Sequence, residues 1–171
     1  MSNPMSNLMY KLPVLPLAAA VGLSLPSTAS AQLVTHKDLT AAIAITMAET
    51  AIATCKANGF AVSAHVIGRN GEVIVAMRGD DTGPHTFENS FRKAYTAKAF
   101  RRSSGDFADS IKSNPTAGQL RLSNIVPLRG ALPITINGDT IGAIGVSGAP
   151  GGEKDEVCAK AGINKVADQL K

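Results

Sequence analysis

The sequence predicts an α+β domain, an antiparallel sheet with helices packed beside it. Two hairpin signals, Asn70-Gly71 and Asn137-Gly138-Asp139, each lie between runs rich in Val, Ile and small residues, and Asn-Gly is the strongest short-range hairpin signal. Stretches with apolar residues at helical spacing stand before, between and after those hairpins. Strands that arrive in hairpins argue for an antiparallel sheet.

The first helix is expected to start at the Thr35-x-x-Asp38 pair, a capping-box signal. Leu39, Ile43, Met47, Ala51 and Cys55 then recur every fourth residue and mark one face. Asn58-Gly59 ends it. Residues 61–68 and 72–78 form the first hairpin, and a two-residue loop at Asn70-Gly71 would set Ile67 against Ile74 and His65 against Ala76. Gly79 to Pro84 reads as a loop, with Pro84 suited to the first position of a second helix. Phe87, Phe91, Ala94, Tyr95 and Ala99 carry that helix to about Arg102. Residues 103–118 are polar, with a short helix expected near 107–111 and a breaker at Asn114-Pro115. Residues 132–136 and 140–147 form the second hairpin. A last helix over 153–170 has acids in its first turn and lysines toward its end, as the helix dipole prefers.

The amino-terminal segment has a different character. Lys11 is the sole charge before His36. An apolar run over residues 12–25 follows it, and then the small-residue site Ala29-Ser30-Ala31. That order predicts a secretory signal peptide over residues 1–31 and a single mature domain over 32–171, placed in the periplasm or secreted. The apolar run holds Pro13 and Pro16 and falls short of the roughly 20 residues that a membrane-spanning helix needs, so no permanent anchor is expected.

The chain carries 17 basic and 13 acidic side chains. They are scattered, with no basic run interleaved with aromatics, which argues against nucleic acid. Cys55 and Cys158 lie outside C-x-x-C patterns, which disfavours zinc, thioredoxin-like and covalent-haem readings. An oxidising compartment permits a disulfide between them, and two buried thiols are the other option.

No G-x-S-x-G, phosphate loop or H-E-x-x-H is present. Gly142, Gly145 and Gly148 run along a strand, where glycine lets another backbone or a ligand approach closely. His85 follows Gly83-Pro84 in the first turn of the second helix. The positive end of that helix disfavours imidazolium, and a neutral imidazole can bind iron. From spacing alone the plainer reading, a solvent-facing or capping histidine, is preferred. Thr86 adds a hydroxyl, and Arg92 and Lys93 add cations nearby. His65 reads as a half-buried strand histidine and His36 as a surface one. Asp80-Asp81 reads as a solvated loop tip. Four of the seven aromatics, Phe87, Phe91, Tyr95 and Phe100, share the helix that begins with His85. An apolar face, a terminal imidazole and cations are what an iron-bearing planar dianion needs.

The stretches RGDDTGPHTFENSFRKAYTAKAF (residues 78–100) and PLRGALPITINGDTIGAIGVSGAPGGEKDEVCAKAGI (residues 127–163) resemble the GlcG-like, haem-degrading domain family. HVIGRNGEVIVAMRGDD (residues 65–81) fits the same pattern, and GPHT followed by S-x-R-K-A-Y-T-A looks like its secreted haem-binding branch. The resemblance implies a profilin-like fold, a homo-oligomer and noncovalent haem capture, with His85 or Thr86 near the iron. Arg92, Lys93 and Arg129 would then partner the propionates. Haem degradation, in which the haem itself is the reactive centre, is the enzymatic expectation. A sensor partner is a further one. The alternative is a module for a small organic ligand. One departure stands out: relatives commonly read Gly-Gly where this chain has Arg129-Gly130, which either adds a propionate partner or narrows the site.

Overall fold

The computed structural model describes residues 32–171; the signal peptide expected over residues 1–31 lies outside the described residues. The element order is α1 (Ala41–Ala57), β1 (Ser63–Ile67), β2 (Val73–Arg78), α2 (Pro84–Phe100), α3 (Ser104–Lys112), β3 (Ala131–Ile136), β4 (Asp139–Ser147) and α4 (Gly152–Lys165), with short 3₁₀ turns at Gly118–Arg121 and Ala167–Gln169. The four strands form one antiparallel sheet in the order β2-β1-β4-β3. The expected α+β architecture is therefore the observed one.

Helices α1 and α4 cover one face of the sheet and α2 the other, with α3 beside α2. Strand alternation sorts the side chains. Ala64, Val66, Ile144 and Val146 join Met47, Ala51 and Ala159 in the larger core under α1 and α4. Each fully buried residue the size of Met47 or Ile144 stabilises the fold by about 1.5–3 kcal/mol. Ile67, Ala131 and Ala143 meet Ala94 and Ala97 of α2 on the opposite face. Gly145 lies in this second layer, where a Cβ would run into the Ser90 carbonyl oxygen and come within 2.7 Å of the Ala94 nitrogen. The small residues of β4 thus let α2 sit directly on the sheet. Cys55 of α1 and Cys158 of α4 are joined by a disulfide, which resolves the choice left by the sequence. Both are buried. Pro133 sits on the edge strand β3, the usual place for proline in a sheet.

Several boundaries differ from expectation. Helix α1 starts at Ala41, because the Thr40 hydroxyl accepts the Ile43 N–H at 3.3 Å and caps it there, not at Thr35. His65 does pair with Ala76, but Ile67 pairs with Val73 rather than Ile74. The Gly68 N–H donates to the Glu72 carbonyl at 2.8 Å, and a bulge after Val66 absorbs the extra residue. Helix α2 stops at Phe100, where Arg101 turns left-handed at φ 53°. Ser103 caps α3 by accepting the Asp106 N–H at 2.9 Å, so that helix begins three residues earlier than expected. Helix α4 ends at Lys165 and passes into a 3₁₀ turn.

Candidate functional site

Helix α2 carries three rows of side chains because residues four apart share a face. The central row, Thr86, Ser90, Ala94 and Ala97, is buried against the sheet. Thr86 Oγ1 donates to the Gly83 carbonyl at 2.8 Å and accepts from Ser63 Oγ at 2.9 Å. Ser90 Oγ donates to the Phe87 carbonyl at 2.9 Å, so it accepts from His65 Nδ1 at 2.8 Å. His65 is only 4% exposed. Burial without a charged partner lowers its pKa to about 4.

The second row, Phe87, Phe91 and Tyr95, flanks the β1–β2 side. The rings of Phe87 and Phe91 lie 4.5 and 5.8 Å from that of His65. Tyr95 reaches Gly71 in the first hairpin turn, where a Cβ would stand 2.8 Å from its ring.

The third row, His85, Asn89 and Lys93, flanks the opposite side and faces the ends of β4 and α4. With Leu128, Arg129, Ser147, Gly148, Ala149, Gly152 and Asp155 it lines a cavity of about 200 Å³. His85 is exposed at this cavity, its ring folded back over Gly83. Lys93 is buried at the floor, its ammonium 2.8 Å from Asp155 Oδ2 and 3.1 Å from the Val146 carbonyl oxygen. Asp155 Oδ1 accepts the Ala149 N–H at 3.0 Å. Burial raises the Asp155 carboxyl above its ordinary range, and the Lys93 charge and hydrogen bond offset only part of that rise.

The structure thus brings His85, Lys93 and Arg129 to one cavity. Thr86 and Arg92 lie outside that lining. Thr86 spends its hydroxyl under the helix, and Arg92 donates to the Ile125 carbonyl at 3.2 Å and lies 3.6 Å from Glu88. The two cations at the cavity are already matched. Arg129 bonds Glu156 at 3.1 Å and Asp109 at 2.8 Å, and both carboxylates help hold its charge. Its route past α3 depends on Gly105, where a Cβ would approach the guanidinium carbon to 2.6 Å. The apolar row expected beside His85 stands on the other flank of the helix.

A larger cleft of about 480 Å³ opens elsewhere, between the last turns of α1 and the end of β2. Ile52, Phe60, Val62 and Met77 give it apolar walls, and Lys56, Arg78, Asp80 and Asp81 line it with charge. Its signal in the sequence was Asp80-Asp81, which read only as a solvated loop tip. His36 lies apart from both cavities, 3.3 Å from Asp38. Among the described residues no group of three or more His, Cys, Asp or Glu is placed to hold a metal ion, and no helix is long and apolar enough to cross a membrane.

A sequence model of the haem degrading protein HbpS-like family matches residues 39–164. A double mutant of HbpS from Streptomyces reticuli is similar in structure, with a TM-score of 0.73 and 32% sequence identity over 90% of this chain and 99% of that one. An uncharacterized 15.0 kDa protein from the dhaT-dhaS intergenic region of Citrobacter freundii is 32% identical over 102 residues, 58% of this chain and 71% of the relative. Protein GlcG of Escherichia coli K12 is 31% identical over 90 residues, 53% of this chain and 66% of the relative.

Proposed function

This chain belongs to the HbpS-like, haem-degrading protein family, which is GlcG-like, and we propose from that membership that it captures haem noncovalently outside the cytoplasm. The observation that carries the reading is the family match across residues 39–164, which spans the sheet and helices α1 to α4, short only of the last residue of α4. Export is part of the proposal. It is supported by the signal-like order of residues 1–31 and by the Cys55–Cys158 disulfide, a bond favoured by oxidising compartments. Association into a homo-oligomer and a sensor partner belong to the same reading.

The residues around His85 do not fit an enclosed haem. Their cavity of about 200 Å³ is below the usual range for a drug-sized ligand, roughly 300–1,000 Å³. Its walls are mostly polar, and Lys93 and Arg129 already satisfy carboxylates. His85, exposed at this cavity, would be the residue to hold the iron. In this proposal His85 is the candidate iron ligand. Lys93 and Arg129 line its cavity, whereas Thr86 and Arg92, expected beside it, stand outside.

Titration of the protein with haemin tests the reading. A saturable Soret shift at micromolar protein is expected, and its absence overturns haem capture. His85→Ala should alter the bound spectrum; an unchanged spectrum removes His85 from the iron. Degradation is separated from capture by loss of the Soret band with iron release when peroxide is added, faster than for free haemin.

The small polar cavity favours a second reading, a small organic ligand held among His85, Asn89 and Ser147 without haem. Thermal stabilisation by a short hydroxy acid, with haemin inert, would select it.

A further inference from the structure

We infer that the outer edge of β2, with the flank of α2 beside it, is the surface on which a second copy of this chain docks. The two β2 strands pair antiparallel about a two-fold axis perpendicular to the sheet. This rests on the homo-oligomer part of the proposed function and gives that association a surface. The cavity at His85 lies on the opposite flank of α2 and takes no part in it.

The two edges of the sheet are treated differently. On β3, the Val146 N–H donates to the Gly130 carbonyl at 2.9 Å, so the alternating pattern turns the backbone groups of Ala131 and Pro133 outward. The Ala131 N–H is already taken by Ser104 Oγ at 2.9 Å, and proline has no N–H to offer. That edge is closed to a further strand. On β2, the Gly79 N–H donates to the Val62 carbonyl at 3.1 Å and continues the register that sets Arg78 opposite Ser63. Arg78 and Ala76 therefore turn their N–H and C=O groups away from β1. Both residues are exposed, and among the described residues no strand pairs with this side. The bulge lies between Val73 and Val75 and leaves the stretch from Val75 to Arg78 regular. An open strand of Val, Ile, Ala and Met, without proline or lysine, is a ready pairing site.

The charges on this strand select a copy of itself as the occupant. Residues 72–78 read Glu-Val-Ile-Val-Ala-Met-Arg, with an acid at one end, a base at the other and only apolar residues between. Antiparallel pairing about Val75 sets Glu72 of each copy beside Arg78 of the other, at both ends at once. A parallel alignment would set like charges together, which disfavours it. Because the β3 edge is closed, the contact joins like to like and ends at a pair rather than growing into a fibre. Strand pairing alone buries little, and the apolar surface beside it supplies the rest. Val73 stands opposite Ile67 and Ala76 opposite His65, so both side chains lie on the α2 face. There they adjoin Phe87, whose ring is 4.5 Å from that of His65. Val73 is 49% exposed and Phe87 37%, so this strip is open to solvent in a single copy. The two-fold axis keeps both α2 helices on one side of the joined sheet and brings the two strips together.

Sedimentation and light scattering at micromolar protein test the assignment. The parent protein should be a dimer or a multiple of one, with the Ala76 and Arg78 amides protected from hydrogen exchange. Ala76→Pro removes an outward donor at an edge position where proline is tolerated. Val73→Lys places a charge in the apolar strip. Each should weaken association by about tenfold or more, since the symmetry counts every change twice. Glu72→Arg and Arg78→Glu should each weaken it alone, and the two together should restore it, which a merely misfolded variant would not do. If Val73→Lys and both single charge reversals keep the size of the parent, the copies meet through another surface and this inference falls while the homo-oligomer reading stands. If the parent protein is a monomer, both fall together. Haem capture is judged apart from either by the haemin titration.

Discussion

Lys93 and Asp155 meet 2.8 Å apart in the interior and tie the middle of α2 to the first turn of α4. Both side chains are almost wholly buried, at the floor of the cavity beside His85. Removing one partner leaves the other buried and uncompensated, which costs about 3–5 kcal/mol. Lys93→Ala and Asp155→Ala should each lower unfolding free energy by about that much in urea titrations. Lys93→Met combined with Asp155→Leu should recover most of the loss. If the double variant is no better than the singles, the pair is not the source of the effect.

Stability should fall as acid is added between about pH 6.5 and pH 4. The folded-state pKa of His65 is depressed to about 4 from its ordinary 6.5. The unfolded chain therefore binds the proton more readily in that window, and stability rises with pH across it. The full depression corresponds to about 3 kcal/mol, lost progressively from pH 6.5 downward. His65→Gln should flatten this part of the pH–stability curve; an equally steep curve would exclude His65 as its cause.

Breaking the Cys55–Cys158 bond should cost about 4–5 kcal/mol, because it closes a loop spanning 103 residues. The measurement is the unfolding midpoint with and without reductant, beside a Cys55→Ala, Cys158→Ala variant. The reduced parent and the variant should melt alike.

Gly145→Val should be among the most damaging single substitutions on the sheet. Its side chain would enter the backbone of α2 at Ser90 and Ala94, where no flexible atom can give way. Overpacking of this kind costs at least about 1–3 kcal/mol. A well-folded Gly145→Val protein with native melting behaviour would show that α2 does not rest on β4 as described.

The fold was largely legible in the sequence. Asn70-Gly71 and Asn137-Gly138 located both hairpins, and the spacing from Leu39 to Cys55 located α1. What misled was grouping by helix rather than by helix face. His85 and Phe87 are two positions apart, so an advance of about 100° per residue sets them on opposite flanks of α2. The imidazole and the aromatic row therefore border different spaces. The Lys93–Asp155 pair was not legible, because 62 residues separate two charges that each look like surface residues. The cleft beside Met77 was missed for a related reason. Its walls come from the ends of separate segments, the last turns of α1, the chain entering β1 and the end of β2, which only the fold brings together. The disulfide stayed open in the sequence because only the docking of α1 on α4 brings the sulfurs together.

The disulfide also sets an order on how the protein is made. Cys55 lies in the first helix and Cys158 in the last, so all four strands are synthesised before the second sulfur exists. No chain that ends before Cys158 can be locked by this bond. Oxidation acts as a final latch, closing only on a polypeptide whose whole sheet is already available.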